Sequence, residues 1–302
     1  MVGVPRWRRT RAWGLAVCCA LPIAALAAAD QATAAGVPWW IWPIGLFVAC
    51  FAMGVVAVPA GIGGGTLFVP LVGSFFPFHL DFVRGAGLLV ALASALAAGP
   101  TLLRSGLASL RLAMPLAALA SAASIAGAML GLALPARLIQ AMLGVAVLGI
   151  VALMWWVRNA EFPAVTRPDP IAEALQLHGV FTDLATGRPV SWRVHRSLQG
   201  MAAFTAIGLL GGLFGIGAGW ANVPALNLLM GAPVKVAAGT STIVLSLASS
   251  SAAFVYLNQG AVLSIIAVPS VVGMMLGARI GARLLAVLDT AVVRRIVIAL
   301  LL

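Results

Sequence analysis

Apolar runs long enough to cross a bilayer recur along nearly the whole of this chain, and one long polar stretch, from Arg158 to Gln199, interrupts them. A helix needs about 20 apolar residues to span roughly 30 Å of hydrocarbon. The pattern therefore predicts an all-α fold, a polytopic transmembrane helical bundle. Breaks rich in glycine divide the runs into two series, near 39–60, 66–77, 84–103, 110–134 and 137–157, then near 199–214, 220–231, 236–257, 261–285 and 291–302. The second member of each series is short for a full crossing, as is the last helix. The count is about 8–10 membrane segments, depending on whether those short pieces cross or re-enter.

The two series are copies. Gly61-Ile62-Gly63-Gly64-Gly65-Thr66-Leu67-Phe68-Val69-Pro70 is echoed by Gly215-Ile216-Gly217-Ala218-Gly219-Trp220-Ala221-Asn222-Val223-Pro224, an offset of 154 residues that also carries Gly85 onto Gly239, Gly106 onto Gly260 and Pro115 onto Pro269. A correspondence held through several helices marks an internal repeat. The chain then divides into an N-terminal segment, 1–29, a first transmembrane repeat, 37–157, a linker, 158–198, and a second repeat, 199–302.

Charge orients this arrangement. The turn between the third and fourth helices holds Arg104 and Arg111 in the first repeat but is Asn258-Gln259-Gly260 in the second, where Arg279, Arg283, Arg294 and Arg295 lie at the far end of the fourth helix. Basic loops stay in the cytoplasm, so the switch predicts two repeats of inverted topology, an arrangement common in secondary transporters. The basic excess of the linker puts it in the cytoplasm too. Within it, Thr182 to Arg188 predicts a turn between two short extended pieces, the second alternating through Val190, Trp192 and Val194. Residues 1–29 begin with Arg6, Arg8, Arg9 and Arg11, continue apolar from Trp13 to Ala28 and end on Ala27-Ala28-Ala29. This is the layout of a cleavable signal peptide; an uncleaved first helix is the alternative.

Composition excludes several functions. The chain is 63% hydrophobic and 8% charged, against roughly 25% charged in soluble domains. Its net charge of +11 sits in loops and at helix ends, where it sets topology and does not bind nucleic acid. None of the seven acidic residues lies in the middle of an apolar run, so no carboxylate proton relay is expected. Cys18, Cys19 and Cys50 have no metal or redox spacing, and His79, His178 and His195 stand alone. No metal or cofactor is expected. An intramembrane enzyme would need a nucleophile with a base, or paired carboxylates, and the serines here have neither beside them.

Chemistry is left to the breaks. Clustered glycines let a backbone approach a ligand, and the first amides of the next helix, at the positive end of its dipole, make an anion site. Broken helices at equivalent repeat positions point to a transport site; glycines also serve close helix packing, which is the alternative. The candidate substrate-binding residues are Gly63, Gly64, Gly65 and Thr66 in the first repeat and Gly217, Gly219, Asn222, Asn227, Lys235, Thr240 and Ser241 in the second. Thr240 and Ser241 either bind an oxyanion or bond their own helix's carbonyls, and an amide such as Asn222 or Asn227 needs a partner in hydrocarbon. Lys235 and Arg84 flank the third helices and either attract an anion or snorkel to the interface.

The glycine breaks followed by valine-proline, with the stretch from Val223 through Asn227, Gly231-Ala232-Pro233 and Lys235 to Ala238-Gly239-Thr240-Ser241, resemble the sulfite exporter TauE/SafE family of bacterial membrane transporters. The likeness covers most of the chain after residue 40. It implies a multi-pass protein of the bacterial inner membrane that exports a small sulfur-containing anion such as sulfite or an organosulfonate. Two positions depart from the family pattern: Arg84-Gly85-Ala86-Gly87 replaces an alanine-threonine-serine start, and Ala218 stands where a third glycine is usual. The expectation is a secondary transporter working by alternating access, its partners a small anion and the lipid bilayer. A passive anion channel is the alternative.

Overall fold

The computed structural model describes residues 40–135 and 169–288, except 62, 76–78, 184–187 and 218, together with a few residues between 137 and 145. The N-terminal segment and both expected fifth helices lie wholly or largely outside the described residues. Among the described residues, six helices are long and apolar enough to span a membrane. They are α1 (Ile41–Ala60), α3 (Leu80–Arg104), α4 (Leu110–Ala133), α6 (Ser197–Phe214), α8 (Val234–Asn258) and α9 (Ser264–Val287). Shorter pieces are α2 (Gly64–Phe75), α5 (Pro170–Ala174) and α7 (Gly219–Pro224), the last continued by a π-helical turn over Ala225–Leu229. The 12 residues of α2 extend only about 18 Å, short of a crossing.

The equivalent glycines of the two breaks share the same left-handed backbone angles. Gly61 and Gly215 cap α1 and α6 in the left-handed region at φ 66° and 71°, and Gly63 and Gly217 return there at 77° and 72°. Only glycine adopts these angles without strain. A repeat in sequence is thus a repeat in conformation.

The helices pack in reciprocal pairs: α1 against α9 and α6 against α4, α3 against α9 and α8 against α4, with α3 and α8 together at the centre. Small residues make these seams, as is usual where lipid gives no hydrophobic drive. Gly273, Gly277 and Gly281 of α9 lie on the backbone of Phe47, Phe51 and Val55 of α1, so those helices run side by side in one direction. Gly208 and Gly212 of α6 meet Ala120 and Ser124 of α4 in the same sense. At the centre Arg84 lies over Tyr256, Leu88 clusters with Ala252, and Ala91 and Ala95 touch Leu245. Numbers rise along α3 as they fall along α8, so these two equivalent helices run in opposite directions.

The predicted turn in the linker forms an antiparallel hairpin of β1 (His178–Asp183) and β2 (Arg188–Arg193), with Val180 opposite Ser191. Trp192 and Val194 are buried. The linker is anchored to helix ends: Arg111 at the start of α4 donates to Gln176 Oε1 (3.1 Å), and His195 N–H donates to the Met230 carbonyl (3.1 Å). Asp169 accepts from Ser197 N–H at 3.0 Å and from Ser197 Oγ at 2.9 Å. It caps α6 from a distance in sequence, satisfying an orphan amide and placing a negative charge at the helix N-terminus. Asp169→Ala is expected to destabilise the protein by about 1 kcal/mol, the ordinary worth of a cap, read as a lowered melting temperature in detergent. An unchanged melting temperature would remove the cap from this account.

Candidate functional site

The two breaks meet at the middle of the bundle. A Cβ on Gly65 would lie 2.6 Å from the Gly87 carbonyl oxygen, 2.8 Å from that of Ile216 and 3.0 Å from Ala91 Cβ. One on Gly217 would lie 2.9 Å from Leu245, 3.2 Å from Ala91 and 3.2 Å from Ser249 Oγ. Gly63 packs on Leu245 as well, and Gly64 on Met274. Ala91 and Leu245 are themselves separated by the repeat offset, so both breaks converge on one pair of equivalent positions.

Each break is stitched to the opposite repeat. Thr66 Oγ1 donates to the Ile216 carbonyl (3.4 Å), and Ser241 Oγ donates to the Gly61 carbonyl (2.7 Å). Ser94 Oγ accepts from Gly64 N–H (3.4 Å) and donates to the Ala91 carbonyl (2.8 Å), so one amide of the first break is already capped. Other expected site residues bond backbone outside the breaks. Thr240 Oγ1 accepts from Ser109 N–H (3.2 Å), and Asn227 Nδ2 donates to the Ala232 carbonyl (2.7 Å), closing the end of the π turn. Gly219 is buried at the start of α7. Asn222, 0% exposed, has both side-chain polar atoms without a partner among the described residues. Such an amide is costly in an apolar interior.

Arg84 and Lys235 do not snorkel. The third helices begin at Leu80 and Val234, earlier than the sequence pattern predicts, which places both cations inside them, 0% and 1% exposed. Arg84 Nη1 donates to Asp81 Oδ1 (2.9 Å) and to the Gly131 carbonyl (3.0 Å), Nη2 donates to the Leu213 carbonyl, and the guanidinium lies 5.4 Å from the centre of the Tyr256 ring. Gly131 and Leu213 are in the last turns of α4 and α6, where carbonyls lack intrahelical donors and carry the negative end of the dipole. Arg84 thus closes two helix ends, one of them at the second break. Sequence reasoning missed this role. The available signal was Asp81 three residues before Arg84, a spacing that puts both on one face of a helix.

Beside Gly217, the residues Leu88, Ser124, Gly212, Ala248 and Ser249 line a gap too narrow to admit water. The second break is therefore closely packed on the side facing α4 and α8 in this conformation. What the arrangement offers is backbone held at unusual angles, hydroxyls and buried amides. Among the described residues no group of histidines, cysteines or acids is placed to hold a metal ion.

Among the described residues, six helices able to span a membrane and a pair of broken helices define a polytopic helical membrane protein. The family described as Sulfite exporter TauE/SafE matches residues 46–302, and the chain belongs to that family. It is also 38% identical over 96 residues to the Probable membrane transporter protein YunE of Bacillus subtilis (strain 168). That match spans 32% of this chain and 35% of the relative, about a third of each. No solved structure matches it significantly.

Proposed function

We propose that the protein is a secondary transporter of the bacterial inner membrane that exports a small oxyanion, such as sulfite or an organosulfonate, by alternating access. The observation that carries this reading is the meeting of two identically shaped glycine breaks at equivalent positions of the two repeats. Discontinuous helices at a repeat interface are where transporters of this design bind substrate. Opposite directions of α3 and α8, and loop charge that changes side between the repeats, support inverted topology with the linker in the cytoplasm. Rocking one repeat against the other would part the seam between Thr66 and Ile216 and between Ser241 and Gly61. Gly63, Gly64, Gly65 and Thr66 would then face Gly217, Gly219 and Asn222 across an anion. Lys235, nearly two turns before Ser241 in α8, adds positive potential, while Thr240 and Ser241 tie α8 to the first repeat and Asn227 closes the turn that follows the second break.

Labelled sulfite and methanesulfonate offered to proteoliposomes test this directly. The expected result is saturable flux with counterflow, abolished in Gly65→Leu and Gly219→Leu; a pore would give neither saturation nor counterflow. Flux in both variants equal to that of the wild type, for every anion carried, would sink the site.

A further inference from the structure

Serines inside helices ordinarily bond a carbonyl one turn back, and α8 follows the rule on either side of one position. Ser246 Oγ donates to Ile243 (2.7 Å), and Ser250 and Ser251 donate to Leu247 (2.8 and 3.1 Å). Ser249 does not. It is 1% exposed, and its hydroxyl has no partner among the described residues. That hydroxyl is directed at the second break, 3.2 Å from where a Cβ on Gly217 would stand. It lines the gap beside Gly217 with Ser124, whose own hydroxyl is already engaged by the Ser121 and Ala248 carbonyls at 2.8 and 2.9 Å. A buried hydroxyl left unpaired costs free energy, and this one sits where the backbone runs past in a left-handed turn that leaves no side chain in between.

The first repeat shows how such a hydroxyl is otherwise used. Residue 95, the equivalent of Ser249, is alanine, and the neighbouring Ser94 is occupied by Gly64 N–H and the Ala91 carbonyl. At the second break the equivalent of Ser94 is Ala248. One repeat therefore spends its hydroxyl on its own break, and the other presents it to the gap.

Resting on the transporter reading above, we propose that Ser249 donates a hydrogen bond to the substrate and that the second break is the half of the site that holds it. The residues lining this gap are neutral. Since the cost of burying charge rises steeply with its magnitude, neutral donors there suit a singly charged oxyanion, a sulfonate or hydrogen sulfite, over a doubly charged one.

Methanesulfonate added to the purified full chain in detergent, with melting temperature as readout, tests this apart from transport. A saturable rise is expected for the wild type. In Ser249→Ala its midpoint should move to about ten-fold higher concentration, the worth of a hydrogen bond to a charged group. The ligand-free melting temperature should not fall, because an unpaired buried hydroxyl has been removed. Ser246→Ala and Ser250→Ala, whose hydroxyls bond their own helix, should keep the wild-type midpoint. A Ser249→Ala midpoint equal to the wild type, an equal shift in either control, or no stabilisation of the wild type would each overturn the assignment. Binding that depends on Ser249 without flux in proteoliposomes would overturn the transporter reading and leave Ser249 standing. Flux with an unchanged KM in Ser249→Ala would do the reverse.

Discussion

Replacing Arg84 by methionine is expected to cost about 3–5 kcal/mol, the loss found when one member of a buried, hydrogen-bonded charge cluster is removed. Most of that loss comes from the helix ends that the guanidinium closes. Without it the Gly131 and Leu213 carbonyls lose a charged donor in a region with no water to replace it, and each unpaired carbonyl costs roughly 1–3 kcal/mol. Asp81 contributes less, because its side chain is 33% exposed and its charge is partly solvated. Asp81→Asn should accordingly cost no more than about 1 kcal/mol. Arg84→Lys should not rescue, since an ammonium on a flexible stem cannot reach two carbonyls and a carboxylate as a planar fork does. Melting temperature and monodispersity in detergent read all three. A melting curve for Arg84→Met superimposed on that of the wild type would remove Arg84 from the list of structural anchors.

The broken helices were legible because their chemistry is local. Left-handed turns at Gly61, Gly63, Gly215 and Gly217 demand glycine, and a glycine cluster followed by valine-proline at a fixed distance is visible in both repeats. The long helices were legible for the same reason, as length and apolarity alone define a crossing. Arg84 was not, because the polar His79 and Asp81 read as a loop and moved the predicted start of α3 from Leu80 to Arg84. A cation at a helix edge and one buried at a helix junction have the same sequence. Of the candidate site, the breaks and the stitching hydroxyls Thr66 and Ser241 come together, whereas Asn227 closes its own turn and Thr240 accepts from the Ser109 amide of the opposite repeat, away from the breaks. Ser249 was hidden among Ser249-Ser250-Ser251, where only the helical phase separates a hydroxyl facing Gly217 from two that bond back to Leu247.

Gly85→Val and Gly239→Val are expected to damage the protein to the same degree, although one lies in each repeat. The side chain of the first would enter the Ala261 carbonyl and that of the second the Leu107 carbonyl, and both pairs are equivalent under the repeat offset. Neither obstacle is a side chain that can rotate away; each is the backbone of the turn leading into the fourth helix of the opposite repeat. Overpacking of a core costs about 1–3 kcal/mol even where side chains can yield, so each variant should lose at least about 3 kcal/mol. Gly45→Ala and Gly99→Ala meet nothing within 4 Å and should be neutral or slightly stabilising, since alanine favours a helix over glycine by up to about 1 kcal/mol. Equal losses for the first pair in detergent melting would mean that the two repeats hold each other through the same contact used twice. If one valine is tolerated and the other is not, that contact is not shared equally, and a rocking motion in which either repeat serves as the frame for the other loses its physical basis.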